Sequence, residues 1–533
     1  MTAPSRFAIS KTKTGNPAIC TLKVIQTKRV EETKIRKLVV RLDGHFDISE
    51  YGSKVIMLIG ETGSGKTLMI NSLLNYILGV KWEDDYRYKL DPDELEKKKR
   101  SHTQSQTEWI SAYMLHHHDR FRIPYSITII DTPGFGDTAG ISKDKEITDQ
   151  MKFFFSGQND AGIDEIDAVI FVAQSDKPRL TASQRFVFDC MLSLFGKDVK
   201  DNIFLFTTFA DQNKPLVLAG MKKAAIPYKA YFKFNNSPLY AQKEYVSARE
   251  EESSDDEREM YNEMFWKSGA REFKKFFLEL DKTSCKSTRL SFEVLKERDA
   301  LNARIKAIPE LIRSKLVTLD CLKIEGEMLQ ASQEEVNKHS GYTYLVSKEI
   351  TTKKTISSGE YAMTCRNCKV NCHYPCNQYF KTFCPAFYLF SGCSVCPRQC
   401  SRSDHDLETS MYVKSIVTQK QTAADVKARY DKAYKKSMSH QDLVRKISQD
   451  AENTRAAIRN HVTAARDIFK RLDGIALKAN PTSTAGYLKY LIKAEKARGE
   501  PGWQDRVVQL EEMLSEAKLQ GDLAKGVKNL KLR

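Results

Sequence analysis

Long apolar runs are missing from this 533-residue chain. Its most hydrophobic stretches, such as Val55–Ile59 and Ala168–Ala173, fall far short of the roughly 20 residues that a bilayer-spanning helix needs. They have the length of buried strands. The N-terminus, MTAPSRFAISKTKTGNPAIC, carries basic residues but no continuous apolar stretch, so it does not read as a secretory leader. Together these absences make the cytoplasm the expected compartment. The chain also lacks a long internal repeat and sustained heptads, which argues against a solenoid or a coiled coil. A formal net charge of +16 would suit a nucleic-acid binder, yet the 85 Lys and Arg are interspersed with 69 Asp and Glu. No aromatic-interleaved basic stripe stands out, so there is no strong nucleic-acid signal, and the charge reads as a solvated basic surface. Peripheral contact with an anionic membrane stays open.

What is present is ordinary globular material, 41% hydrophobic and 29% charged, with length for two or three domains. Residues 1–50 hold two alternating stretches, Ala18–Val30 and Thr33–Leu42, which suit a hairpin or an arm added to the next domain. From Lys54 to about Lys282, apolar strands alternate with helical segments. The expected strands are Lys54–Ile59, Ser126–Ile130, Ala168–Ala173, Ile203–Thr208 and Tyr228–Phe234; helices are expected at Lys66–Leu78, Lys143–Phe155 and Ala182–Phe195. Such alternation predicts an α/β fold, a mostly parallel sheet with helices on both faces. The acidic run Arg249–Arg258 reads as a loop before a helix at Glu259–Leu280. Residues 284–338 read as two helical segments broken near Pro309, Tyr342–Ser357 as one or two strands, and the chain after His405 as helical.

The sharpest motif is Gly60-Glu61-Thr62-Gly63-Ser64-Gly65-Lys66-Thr67, which satisfies G-x-x-x-x-G-K-S/T between a strand and a helix. Glycines let backbone N–H groups wrap phosphate oxygens, and the helix N-terminus adds positive potential. Lys66 is expected on the outer phosphates and the Thr67 hydroxyl on Mg²⁺. Downstream, an apolar strand ends in Asp131-Thr-Pro-Gly134. Asp131 would hold Mg²⁺ through water, and the Gly134 N–H would bond a γ-phosphate. Thr103 is the expected switch threonine for Mg²⁺, with Thr107 in reserve; the His116–His118 triplet reads as an exposed loop. Small GTPases often place a water-orienting Gln after the sensing Gly, but Phe135 stands there, so turnover is expected to be slow and no catalytic residue is assigned. Arg179 suits a surface ion pair better than an arginine finger.

Base choice falls to Thr208-Phe-Ala-Asp211, which follows a strand where GTPases carry N/T-K-x-D. Thr208 and Asp211 fit, Phe209 replaces the Lys, and its ring could stack on a base. Asn236, within Phe234-Asn-Asn-Ser237, could add an amide contact. GETGSGKT, DTPGFGDT, TFAD and FNN together resemble the septin and GIMAP-type (avirulence-induced gene) GTPases, over roughly residues 50–280. The resemblance implies a P-loop G domain that binds GTP or GDP with Mg²⁺, hydrolyses GTP slowly and dimerises or polymerises through that domain. By the same resemblance Gly60, Gly65, Lys66 and Thr67 hold phosphate, Asp131 and Gly134 sense it, and Asp211 reads guanine.

Eight cysteines cluster as Cys365-x-x-Cys368-x-x-x-Cys372-His373-x-x-Cys376, then Cys384, then Cys393-x-x-Cys396-x-x-x-Cys400, followed by His405. Two C-x-x-C knuckles with further Cys and His supply ligands for two structural zinc ions. Each knuckle could complete its own site, or the two could interleave. The organisation expected is an arm or hairpin at 1–50, a G domain at 51–282, a helical segment at 283–340, a small zinc-stapled β module at 341–408 and a helical region at 409–533. Three functions fit: a GTP-driven switch or assembling GTPase, a P-loop ATPase or nucleotide kinase, and a nucleotide-binding scaffold without turnover. Unknown protein partners would meet the helical and zinc regions.

Overall fold

The computed structural model describes residues 9–42, 52–90, 107–136, 141–156, 162–180, 182–242, 252–334, 343–357, 359–376, 384–387, 392–393, 395–396, 398–434 and 438–478, plus scattered positions beyond 488. They fall into two compact units, one from Met1–Leu295 with Ile475–Leu510 and one from Lys296–Gly474 with Glu511–Arg533.

The first unit runs β1 (Ile9–Lys13), β2 (Ala18–Leu22), β3 (Val24–Val30), β4 (Ile35–Val40), β5 (Ser53–Gly60), α1 (Lys66–Ile77), β6 (Tyr86–Lys89), β7 (Ile110–Leu115), β8 (Ser126–Asp131), α2 (Ile141–Phe154), β9 (Glu165–Ile166), β10 (Ala168–Gln174), α3 (Ala182–Ser193), β11 (Ile203–Thr208), α4 (Val217–Lys223), β12 (Ala230–Lys233), α5 (Glu252–Leu280) and β13 (Lys286–Ser287). Its main sheet has the order β12-β11-β10-β5-β8-β7-β4-β3. The five strands from β12 to β8 are parallel neighbours, while β7 runs antiparallel to β8.

Side chains alternate across a strand, and β5 shows what that does here. Ile56 and Leu58 enter one apolar layer, with Met69 and Leu73 of α1 and Phe273 and Phe276 of α5. Met57 and Ile59 enter the other, with Met151 of α2, Val187 and Met191 of α3 and Met221 of α4. Helices therefore cover both faces, and the short run Val55–Ile59 is apolar throughout because both faces are buried.

The stretch Ala18–Val30 divides at Lys23. Its second half pairs antiparallel with β4 as a hairpin, and β4 pairs parallel with β7, which extends the main sheet. Its first half joins β1 and β6 in a separate three-stranded sheet. From Glu252 onward the acidic run is helix rather than loop, the start of α5. Carboxylates are favoured in a first turn by the helix dipole. A short β9–β13 pair closes this unit beside the Asn202 side chain, which donates to the Asp167 and Ser284 carbonyls.

The second unit contains α6 (Arg289–Glu334), β14 (Tyr344–Thr355), β15 (Ala362–Cys365), β16 (Val370–His373), β17 (His405–Glu408), β18 (Ser410–Gln421), α7 (Ala423–Tyr434) and α8 (His440–Ile475), with α6 entering from the first unit. The expected break at Pro309 is absent, and α6 is one 46-residue helix. A proline removes one i→i−4 bond, and the long helical stretches on either side continue past it. The expected helix after His405 is also corrected: β17 and the 12-residue β18 come first. β18 pairs with β14 along its whole length, from Tyr344↔Gln421 to Thr355↔Ser410. Among the described residues, no helix is long and apolar enough to cross a membrane.

Candidate nucleotide site and cysteine centre

The P-loop leaves β5 and enters α1. Gly65 sits immediately before α1 at φ 89°, a backbone region that costs L side chains roughly 1–2 kcal/mol. The Lys66 ammonium donates to the Gly60 and Glu61 carbonyls at 3.1 and 3.0 Å, which holds it across the mouth of the loop. Burial lowers its pKa to about 8. The Thr67 side chain lies on the exposed side of the first turn, and Gly63 is exposed at the tip. Thr208 Oγ1 donates to the Ser64 carbonyl at 2.8 Å, tying the base motif to the phosphate loop.

The strand end at Asp131 is stitched to the same loop. The Thr62 N–H donates to the Phe135 carbonyl at 2.9 Å, and the Phe135 N–H to the Gly60 carbonyl at 3.1 Å. Gly134 packs so closely that a Cβ there would lie 2.5 Å from Thr62 Oγ1 and 2.7 Å from the Thr62 Cα. Glycine is thus required at 134 for contact, independently of any ligand. The Gly136 N–H donates to the Asp144 carboxylate at 2.8 Å, anchoring the end of this segment to α2.

Around Lys66 three polar atoms, Thr62 Oγ1, Ser64 Oγ and Asp131 Oδ1, are buried without a hydrogen-bond partner among the described residues. Burying such atoms unpaired costs about 1–3 kcal/mol each, a cost that phosphate and hydrated Mg²⁺ would relieve. Burial raises the Asp131 carboxyl to about 6, against the pull of Lys66 and Arg36. Arg36 carries no motif signal in the sequence. The sheet extension places it: Arg36 pairs with Ser111 across β4 and β7, and Ser111 with Asp131 across β7 and β8. Its guanidinium donates to Ser111 Oγ at 2.8 Å and lies over the Trp109 ring, 5.4 Å from its centroid.

Phe135 is fully buried in the second apolar layer, which also holds Ile59, Ile130 and Val187. The ring where a water-orienting side chain would stand is therefore core. Phe209 is the opposite case: 59% exposed, at φ 52°. Asp211 is exposed and its carboxylate accepts from the Asn213 N–H and side-chain amide at 2.8 and 2.9 Å. Asn236 is half-buried, its amide 3.6 Å from Met69 Sδ. Thr103 lies outside the described residues. The His116–His118 triplet is half-buried, and two of its rings meet Phe121.

In the second unit three groups of ligand atoms converge, each group within 4.8 Å: Cys365, Cys368, Cys396 and Cys400; Cys372, Cys393, Cys396 and His405; and His373, Cys376 and Cys384. The knuckles interleave. The chemistry of the first two groups fits zinc. None of the eight cysteines is in a disulfide. Cys368 and Cys400 sulfurs lie 3.5 Å apart, near the edge of roughly 3.8 Å that a tetrahedron of 2.3 Å Zn–S bonds requires. Backbone N–H groups of Cys368, Val395, Cys396 and Cys400 donate to the sulfurs of Cys365, Cys393, Cys393 and Cys396 at 3.3 to 3.4 Å, which favours thiolate. His405 Nδ1 donates to the Ser401 carbonyl at 2.8 Å, which leaves the Nε2 lone pair for a metal, the usual arrangement of a ligating histidine. Hydrogen bonds from the Cys372 and Cys396 thiols hold Cys393 down at about 3, whereas burial pushes Cys365 up to about 11.

The Septin family model matches residues 52–152, the span holding the P-loop and the Asp131–Gly134 strand end. Over that stretch the chain is similar to the septin family. No curated protein sequence matches the chain. Toc33 from Arabidopsis thaliana with GDP and Mg²⁺ aligns at 15% identity over 41% of this chain and 84% of its own, with TM-score 0.24. The G domain of the T. maritima FeoB iron transporter aligns at 18% over 35% and 89%, with TM-score 0.19. The GTP-bound GTPase-like domain of S. cerevisiae Ski7 aligns at 14% over 40% and 50%, with TM-score 0.24.

Proposed function

We propose that this chain is a GTP-binding protein whose G domain works as a slowly hydrolysing conformational switch or assembling GTPase. The observation that carries the reading is the set of buried unpaired oxygens on Thr62, Ser64 and Asp131 around the Lys66 ammonium. The backbone of 60–65 and Lys66 would hold the phosphates, Thr67 and Asp131 would hold Mg²⁺ (with Thr103 as the switch threonine), and the Gly134 N–H would meet the γ-phosphate. Thr208 positions the loop, while Phe209, Asp211 and Asn236 would face the base. The cysteine centre holds zinc structurally, and clustered thiols of this kind suit the reducing cytoplasm. Two exposed apolar side chains near the base motif, Phe209 and Leu216, suit a homodimer through the G domain.

Slow turnover follows from Phe135, whose core position offers nothing to a water. Single-turnover phosphate release with Mg²⁺ and excess protein, alongside light scattering for mass, tests both statements. Hydrolysis over minutes to hours with GTP-dependent dimers supports the switch. GTP bound for a day without phosphate release would favour the second reading, a non-hydrolysing scaffold, which the buried Phe135 also suits. A P-loop ATPase is the third, and base competition separates it.

A further inference from the structure

The cysteine centre contains one more cluster than a two-zinc design needs. Cys372 and His373 are successive residues of β16, at an irregularity where His373 pairs with Met363 and Asn371 with Thr364, and their ligand atoms fall in different groups. Cys372, almost fully buried, joins Cys393, Cys396 and His405, whereas His373 meets Cys376 and Cys384. The spacing of the cysteines alone leaves their grouping open and gives Cys384 no assigned role.

The ligand count then closes in only one way. Cys396 belongs to both four-residue groups. A thiolate sulfur has lone pairs enough to bridge two metals, so Cys365, Cys368, Cys400 and Cys396 complete one tetrahedron while Cys372, Cys393, His405 and the same Cys396 complete a second. Neither needs His373, Cys376 or Cys384. These three have metal-site spacings of their own: Cys376 Sγ to Cys384 Sγ is 3.9 Å and Cys384 Sγ to His373 Nδ1 is 3.7 Å. The first matches the S···S edge of roughly 3.8 Å expected around zinc, and the second lies near the S···N edge of roughly 3.5 Å. Both sulfurs are fully buried. Their backbones are fixed as well. The Cys376 N–H donates to the Tyr361 carbonyl at 2.7 Å, and the Cys384 carbonyl accepts from the Phe387 N–H at 2.9 Å.

We propose that the centre binds three zinc ions: a pair bridged by Cys396, and a third on His373, Cys376 and Cys384. This rests on the zinc reading above and adds the number of ions and their difference in kind. Each bridged ion has four protein ligands and is closed. The third has three, so its fourth position is open to water or an external donor, and the half-buried His373 edge gives that donor access. The third ion is therefore the exchangeable one.

The test measures zinc per full-length chain by inductively coupled plasma mass spectrometry, with release to 4-(2-pyridylazo)resorcinol followed in time. Three equivalents are expected, one leaving at least ten times faster than the other two. Cys384→Ser should retain two equivalents, lose the fast phase and bind GTP as the parent chain does. His373→Ala, at a half-buried position, repeats the test should the buried serine disturb folding. Two equivalents in the parent chain, or an unchanged count in both variants, would overturn the third site while leaving the zinc reading standing. No zinc in protein purified under reducing conditions overturns both.

Discussion

The first unit and the cysteine module of the second reach a buried core by opposite routes. In the first, the sheet is sandwiched by two apolar layers, and residues such as Leu58, Phe171, Phe206 and Phe276 are essentially inaccessible to water. Each such side chain contributes about 1.5–3 kcal/mol by leaving water. In the second, the corresponding cluster around β15–β17 consists largely of cysteine: Cys365, Cys372, Cys376, Cys384, Cys393, Cys396 and Cys400, with Met363, Phe387 and Val395. Apolar burial supports the first without any metal. On the zinc reading, the cysteine core would instead depend on metal and on reduced thiols.

The strongest way to break this contrast is chelation. Removing zinc under reducing conditions should abolish amide protection across 361–376 and 398–408 while β5, β8 and β10 keep theirs; hydrogen exchange read by mass spectrometry distinguishes the two. Loss of protection in both units together would contradict the division. Next in size is Lys66→Ala, which removes a charge-assisted contact to phosphate and should weaken GTP binding on the order of 100-fold by calorimetry, with the melting temperature nearly unchanged.

Asp131 sharpens the cost of the nucleotide site. Its carboxyl is raised to about 6 by burial, so the nucleotide-free protein binds more protons than the unfolded chain between the two values. Stability therefore falls as pH rises from about 4 to about 6. Asp131→Asn should match the parent at pH 4 and exceed it by about 3 kcal/mol at pH 7, a shift of about two pKa units, while losing Mg²⁺-dependent affinity. Denaturant titration at both pH values gives the answer, and equal stability at pH 7 would count against the burial argument.

Much of the first unit was legible in the sequence because burial on both faces writes continuous apolar runs. Val55–Ile59, Ala168–Ala173 and Ile203–Phe206 could hardly be anything but central strands. β18 was not legible. Met411–Gln421 mixes polar, β-branched and two charged residues without strict alternation, its described side chains are exposed or half-buried, and it is held in register by its partner and by pairs such as Lys414–Glu349 at 2.8 Å. The cysteine spacing disclosed most of the ligands but neither Cys384 nor the grouping, since that depends on how the chain brings distant knuckles together. Motifs named Lys66 and Asp131, whereas Arg36 reaches Asp131 only because an N-terminal hairpin joins the sheet, a long-range pairing that no local pattern encodes.

The smallest effects separate the two phenylalanines. Phe135→Leu trims a buried ring and should cost about 1–2 kcal/mol, with hydrolysis no faster than in the parent. Phe209→Ala, on an exposed ring, should leave stability within about 0.5 kcal/mol yet weaken nucleotide binding several-fold, because only the base site would miss the ring. Thermal unfolding and nucleotide titration on the same samples read both.

The central claim, a P-loop site that selects guanine, is tested most directly by displacement of labelled GTP from the full-length chain with Mg²⁺ present. Unlabelled GTP should displace it at least ten times better than ATP, with no signal from Lys66→Ala. Equal displacement by ATP would contradict the roles given to Phe209, Asp211 and Asn236 and leave a general P-loop nucleotide-binding protein.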